Sequence, residues 1–542
     1  MIKRIATVGG LTLVSRVTGF IRDVVMAAVL GAGPIADAFF VAFRLPNHFR
    51  AILAEGAFNA AFVPAYARML EESGLKSARL FADRIGAALL VINIVLLGLA
   101  LVYTPSVVSL LAPGLHQDPE RYNLAVALTR ITFPSLLLVS MQTLISGELN
   151  SNGRFAVAAG APILLNVCMV IALSVAYWFP NAGYAAAWGV LAAGVAQVLL
   201  VGIDAERAGF GLRFSAPRLD VRTRKFLGAL GPAIIGAGGV QLALFADTLI
   251  ASFLPTGALS ALYYADRINQ LPIGVVGIAV GTVLLPEMSR RLAAGDERGA
   301  ALAQARGIQL ALLMTVPNVA AATAVPDLIM RALFARGAFT AADAAAAGST
   351  LAAYAIGLLP FVMMRSFTAP FYARGDTLTP VKAALLAAAV NIAFKVMLMG
   401  PLAQVGLAFA TSVGAWINLS LLTFFAKRRG FAVSGAGLRP VIRLFIAGAV
   451  LAVALYFGNM VLARAFAGMH YLREETTLAV LLLIGVVVYG AAVLLLLGRG
   501  WVDTLFKDVG TAADAPLPKT PEPPDPTAAS SALPDNPPPP TV

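Results

Sequence analysis

Fourteen apolar stretches separated by short charged breaks constrain this chain more than any other feature; they lie near 6–31, 35–66, 84–104, 123–148, 156–178, 184–203, 226–253, 258–288, 307–326, 348–372, 379–399, 405–426, 441–463 and 475–498. Roughly 20 apolar residues are enough for a helix to cross the ~30 Å hydrocarbon core of a bilayer. A segment in hydrocarbon must satisfy its own backbone polar groups, so runs of this kind become helices. The chain of 542 residues is 59% hydrophobic and 13% charged, against roughly 25% charged in soluble domains. No water-soluble fold covers that much apolar surface. The expected fold class is an all-α polytopic membrane protein of about 14 transmembrane helices.

The charges test this count independently, because Lys and Arg favour cytoplasmic loops. Alternate loops on the side of the N-terminus hold 27 basic residues, and those on the other side hold 5, namely Arg121, Arg331, Arg336, Arg464 and Arg473. One missed span would invert every later loop, so both termini are expected in the cytoplasm. The net charge of +12 then reflects loops facing anionic lipid, not nucleic acid. Met1 to Arg4 opens helix 1 and not a signal peptide, since Arg16 and Arg22 interrupt the apolar run and no small-residue cleavage pattern follows.

Enzyme signatures are missing from the sequence. Cys168 is the single cysteine, and His48, His116 and His470 lie far apart, which gives neither a disulfide framework nor a metal site. There is no phosphate-binding Gly-rich loop ending in Lys-Ser/Thr and no His-Glu-x-x-His. The chain is expected to need no cofactor and to move something across the bilayer without hydrolysing ATP.

An internal repeat organises the helices. Pro64 precedes Arg68 by four residues, as Pro286 precedes Arg290; Pro134 is followed by Asn166 much as Pro360 is followed by Asn391. Helices 1 to 6 and 7 to 12 therefore read as two parallel six-helix lobes, an architecture of transporters with the substrate path between the lobes. The expected domains are an N-lobe over 1–204, a cytoplasmic linker over 205–225, a C-lobe over 226–428, two further helices within 429–500, and a Pro-rich tail over 511–542. The tail cannot bury a core and is expected to be extended and disordered.

Eight basic residues fall inside the proposed spans: Arg16, Arg22, Arg44, Arg50, Arg130, Arg267, Arg365 and Lys395. Each mid-bilayer arginine costs about 2.5–3.5 kcal/mol or more, so several together imply a polar, water-filled interior. Asp23, Asp37, Glu55 and Asp266 could neutralise some of them as structural ion pairs, but basic groups outnumber acidic ones and both lobes contribute. A surplus of guanidinium groups suits an anionic substrate such as phosphate or pyrophosphate, which accepts the bidentate fork.

Ser15-Arg16-Val17-Thr18-Gly19-Phe20-Ile21-Arg22-Asp23, Gly31-Ala32-Gly33, Asp37-Ala38-Phe39-Phe40-Val41-Ala42-Phe43-Arg44-Leu45-Pro46-Asn47, Ala54-Glu55-Gly56-Ala57-Phe58, Tyr263-Tyr264-Ala265-Asp266-Arg267 and Thr379-Pro380-Val381-Lys382 closely resemble the MurJ (MviN) family of lipid II flippases, over residues 1 to about 505. The resemblance implies the fold of the multidrug/oligosaccharidyl-lipid/polysaccharide exporters, alternating access, and a place in the bacterial inner membrane. Its implied cargo is lipid II, an undecaprenyl-pyrophosphate carrying the disaccharide-pentapeptide of peptidoglycan; membrane lipids are the other expected partners, and the sequence leaves the oligomeric state open, with a monomer expected. It assigns substrate binding to Arg16, Arg22, Asp23, Asp37, Arg50, Glu55 and Arg267; Arg44, Asp266 and Arg365, also inside the proposed spans, are secondary candidates. It also makes helices 13 and 14 the walls of a groove for the polyprenyl tail.

One departure stands out. Some relatives hold a sodium-type site between helices 7 and 11, where this chain has Asp247 and Asn391. Lys395, one turn beyond Asn391, puts a cation where a ligand oxygen belongs, so an Asp247–Lys395 ion pair is expected instead of a metal. A flippase for another polyprenyl-linked polysaccharide, or an antiporter of the multidrug (MATE) type, are the alternative readings; the second predicts a surplus of acidic rather than basic groups inside the membrane.

Overall fold

A computed structural model describes residues 2–50, 57–211, 220–431, 437–469 and 471–505. Glu55, residues 212–219 of the linker and the Pro-rich tail lie outside the described residues, as does the side chain of Arg50. Among the described residues every regular element is helical.

The N-lobe comprises α1 (Ile2–Leu30), α2 (Pro34–Arg50), α3 (Ala57–Val102), α4 (Thr104–Leu111), α5 (Pro119–Thr132), α6 (Pro134–Ser151), α7 (Ala156–Ser174) and α8 (Ala182–Arg207). The C-lobe comprises α9 (Val221–Ser252), α10 (Ala258–Pro272), α11 (Ile278–Ala293), α12 (Glu297–Ala324), α13 (Pro326–Phe334), α14 (Ala341–Tyr372) and α15 (Leu378–Arg428), followed by α16 (Leu438–Ala465) and α17 (Arg473–Leu497). Prolines start α4, α5, α6 and α13, where a missing N–H costs nothing. Polar caps start others: Asp118 accepts from Arg121 N–H at α5, Asn181 from Gly183 N–H at α8, and Asp296 from Gly299 N–H at α12. Thr340 and Asp343 form a reciprocal capping box at α14.

Nine helices among the described residues are long and apolar enough to cross a membrane. α15, with 51 residues, reverses at Ala403 (φ 44°, ψ −127°) and covers two of the expected spans. α3 kinks likewise at Gly74 (φ 74°, ψ 173°). The expected spans outside that set are α1, α2, α9 and the α10–α11 pair, the helices that carry Arg16, Arg22, Asp37, Arg44, Asp247, Asp266 and Arg267.

The lobes meet tightly on the face away from the basic loops. The end of α1 threads between two turns of the C-lobe: Ala338 N–H donates to Ala28 O at 2.7 Å. Gly31 (φ +67°) and Gly257 (φ +90°) lie so close to the carbonyls of Ala338 and Ala32 that a Cβ would stand 2.6 and 2.7 Å from them. Positive φ and absent side chains are both required there. Phe20, Tyr264, Phe334 and Phe339 pack edge-on or tilted behind this seam. On the basic face α9 packs on α3: Phe226 stands edge-on to Phe58, Phe62 and Phe81, and Asp220 caps α9 while pairing with Arg84. The Thr223 hydrogen bonds and the Arg84 charge hold the Asp220 carboxyl below its ordinary pKa.

Gly257→Ala should therefore lower the thermal unfolding midpoint by more than Gly295→Ala, since Gly295 shares the positive φ (+73°) but has open space around it. Backbone strain alone costs about 1 kcal/mol; equal losses in the two variants, measured by thermal denaturation in detergent, would contradict the tight seam.

Candidate functional site

A cavity of about 640 Å³ opens between α1, α7 and the α10–α11 junction. Its wall carries Arg16, Arg22 and Asp23 from α1, Asn166 from α7, and Arg267, Gln270 and Gly274 from the C-lobe. A π-helical turn, Ile273–Gly277, follows Pro272 and widens the backbone beside the cavity. A methyl group at Gly274 would collide with the Arg16 guanidinium, so the glycine makes room for that charge.

The network is built around Asp23, only 4% exposed. Arg22 Nη2 and Nε donate to Asp23 Oδ1 at 2.7 and 3.1 Å, and Arg22 Nη1 donates to Asn166 Oδ1 at 3.1 Å. Asn166 Nδ2 donates to Ser15 O and Thr18 Oγ1, both at 3.0 Å, which fixes the amide and hence the guanidinium. From the C-lobe, Arg267 Nε lies 3.5 Å from Asp23 Oδ2 and the Tyr263 hydroxyl donates to Asp23 Oδ1 at 3.3 Å. Arg267 Nη2 donates to Tyr263 Oη at 2.9 Å, with the guanidinium 4.7 Å from the ring centroid. One carboxylate of the N-lobe thus holds an arginine from each lobe.

Arg16 has no acidic partner among the described residues and is exposed to the cavity. Among the described residues, three guanidinium groups against one carboxylate leave this wall with a charge surplus of two. A doubly charged anion seated there would replace hydration with charge-assisted hydrogen bonds.

Other residues singled out from the sequence lie elsewhere. Asp37 does not line this cavity. It is 0% exposed and accepts from Gly257 N–H (2.7 Å), Ser260 N–H (3.0 Å), Ser260 Oγ (2.6 Å) and Arg121 Nη1 (3.3 Å). Asp37 sits at the N-terminus of α10, where the peptide dipoles favour a carboxylate, and clasps the two lobes. Arg44 and Asp266 are half-buried outside the cavity wall, Asp266 taking a hydrogen bond from Gln270. Arg365 is exposed, with its aliphatic stem against Gly281. Lys395 Nζ lies 2.5 Å from Asp247 Oδ1, linking α15 to α9, with the lysine side chain only 3% exposed.

Asn166, Tyr263 and Arg121 escaped the sequence reading as site residues. Tyr263 and Arg267 stand at i and i+4, which puts them on one helix face, and that spacing was the available signal. Arg121 sits at the start of α5, where sequence places it in a loop; only the fold brings it to Asp37.

The profile of the family described as Lipid II flippase MurJ matches residues 26–497. A probable lipid II flippase MurJ of Rhizobium meliloti (strain 1021) is 42% identical over 462 residues, 84% of this chain and 86% of that protein. The lipid II flippase MurJ of Burkholderia cenocepacia is 34% identical over 472 residues, covering 84% and 90%. Among solved structures, a lipid II flippase MurJ in an inward closed conformation superposes with a TM-score of 0.75 at 23% identity, over 90% of this chain and 98% of that one. An inward-facing multidrug resistance MATE family transporter of the MOP superfamily superposes at 0.62, with 14% identity over 77% and 95%.

The Lys395–Asp247 pair generates a direct test. Asp247→Ala strands a buried ammonium group and should cost about 3 kcal/mol, whereas adding Lys395→Met should restore part of the loss. Exchanging sodium for potassium at fixed ionic strength should leave the thermal midpoint of the unaltered protein unchanged. A sodium-dependent rise would show a metal competing for Asp247.

Proposed function

Because the chain belongs to the lipid II flippase MurJ family, we propose that it carries lipid II from the cytoplasmic to the periplasmic leaflet of the bacterial inner membrane by alternating access. The observation that carries this reading is the charge surplus of the cavity formed by Arg16, Arg22 and Arg267 around Asp23. A bare pyrophosphate crossing hydrocarbon faces a cost on the order of tens of kcal/mol by ion solvation. Guanidinium groups from both lobes replace its water while the lobes exchange their openings.

The seam at Gly31, Gly257 and Asp37 closes the face away from the basic loops, and in this reading that face is periplasmic. Both termini and the 205–225 linker are then cytoplasmic, as the distribution of Lys and Arg requires. α16 and α17 pack against each other and α16 against α12, while Val453, Phe457, Leu483 and Val486 stay exposed. They supply the apolar groove over 429–500 for the polyprenyl tail. Transport is assigned to a monomer without a cofactor. A cation antiporter does not fit a wall whose arginines outnumber its acids.

Depleting the resident flippase of a rod-shaped bacterium and supplying this chain tests the assignment: growth should return with the unaltered chain and fail with Arg22→Ala at equal protein level. Arg22→Lys should also fail, since a lysine cannot bridge Asp23 and Asn166 together. In purified protein, Arg22→Ala should weaken undecaprenyl-pyrophosphate binding about 10- to 100-fold, the worth of a charge-assisted hydrogen bond or two. Growth of the Arg22→Ala strain would remove the arginine cavity from the mechanism.

A further inference from the structure

The arginine cavity continues past α7. It shares Pro162 and Leu165 with a second cavity of about 350 Å³, which in turn shares Val8 and Phe155 with a third of about 270 Å³ beside Arg154 and Asp204. Val8 precedes Arg16 by two helical turns, about 12 Å along α1. The three cavities form one trough running from the arginines toward the basic face.

The middle cavity has a different chemistry. No charged side chain lines it; its wall carries Gln142, Thr143, Ser146 and Asn150 from α6. These positions fall on one face of the helix over two turns. Their hydrogen-bonding capacity is largely unspent. Ser140 and Ser151 on the same helix fold back onto the carbonyls of Leu136 and Gly147, each at 2.8 Å. By contrast, Thr143 and Asn150 have no side-chain partner among the described residues, and the Ser146 hydroxyl accepts from Gln142 Nε2 (2.9 Å) but donates to nothing there. Polar groups inside a membrane protein face partners or water, not lipid.

The repeat does not demand this stripe. At the same distances beyond Pro360, α14 and the turn after it carry Thr368, Ala369, Tyr372 and Asp376. Thr368 is spent on Met364 O at 3.0 Å, and Asp376 caps Thr379 and pairs with Arg429. At these positions, among the described residues, the N-lobe keeps a row of neutral donors and acceptors next to the arginines and the C-lobe does not.

We infer that this α6 face is a second substrate subsite, for an uncharged group rich in hydroxyls and amides: the N-acetylated disaccharide of the lipid II head, seated while the arginines hold its pyrophosphate. The inference rests on the lipid II reading and deepens it. Amide and hydroxyl side chains both donate and accept, matching the groups of an N-acetylated saccharide. A site built to pair hydroxyl and amide groups discriminates against ligands that lack them.

The test compares two probes, lipid II and undecaprenyl-pyrophosphate, on the full chain in nanodiscs, with the affinity of each measured for the unaltered protein and for Gln142→Leu/Thr143→Val/Ser146→Ala/Asn150→Leu. Lipid II should bind the variant about tenfold more weakly or worse, the equivalent of two neutral hydrogen bonds. Undecaprenyl-pyrophosphate affinity should stay the same, which also reports that the variant is folded. Unchanged lipid II affinity would make the cavity a water-filled vestibule and overturn the subsite; an equal loss for both probes would overturn it too, as damage to the whole lobe. If the unaltered chain binds undecaprenyl-pyrophosphate but gains nothing from the lipid II head, the subsite falls while the arginine cavity stands. Binding of neither probe would instead refute the lipid II reading itself.

Discussion

Charge inside hydrocarbon has to be matched, and much of this structure follows from how each charge is matched. An unpaired mid-bilayer arginine is costly enough that it must find a carboxylate, a hydrogen-bond acceptor or water. Asp37 is matched completely by a helix N-terminus, a serine and Arg121, and it has become a clasp between the lobes. Lys395 and Asp247 match each other and tie α15 to α9. Around Asp23 the matching among the described residues is incomplete: one carboxylate serves Arg22 and Arg267, Arg16 has none, and the difference is left to whatever fills the cavity. The degree of pairing, more than the presence of a charge, separates the structural residues from the site.

The two lobes divide their polar chemistry. Asn166 in the N-lobe positions Arg22; Asn391, its counterpart in the C-lobe, leaves Oδ1 buried without a partner beside Gly414 and one turn from Lys395. The C-lobe contributes Arg267 and Tyr263 to the cavity from the helix that Asp37 caps. Closure at one face and the geometry of the charged site are therefore carried by the same short helix, α10. A movement of α10 that parts the Gly257 seam also moves Arg267 relative to Asp23.

In that seam backbone meets backbone at Gly31, Gly257 and Gly337, and the Asp37 side chain clasps it through Gly257, Ser260 and Arg121. The opposite, basic face is held by a larger aromatic set, Phe58, Phe62, Phe81 and Phe226, with Arg84 and Asp220 beside it. The trough leading from the arginines toward that face runs inside the N-lobe along α1 and α7.

Composition and spacing alone determined the all-helical membrane fold and picked out the arginines of the interior, because hydrocarbon length, backbone satisfaction and the cost of charge act on the chain locally. They also placed Asp247 and Lys395 at a common depth, since rise per residue is fixed along a helix. The partners were a different matter. Asp37 reads from the sequence like any other intramembrane acid beside arginines, yet it lies 220 residues from the N–H of Gly257 that it caps and 84 from Arg121. Asn166 and Tyr263 are polar residues in apolar runs until the fold sets them against Arg22 and Asp23. Which charge is neutralised and which is left over depends on helix rotation and lobe docking, and those are settled by side-chain packing between segments remote in sequence, so only the tertiary structure decided them.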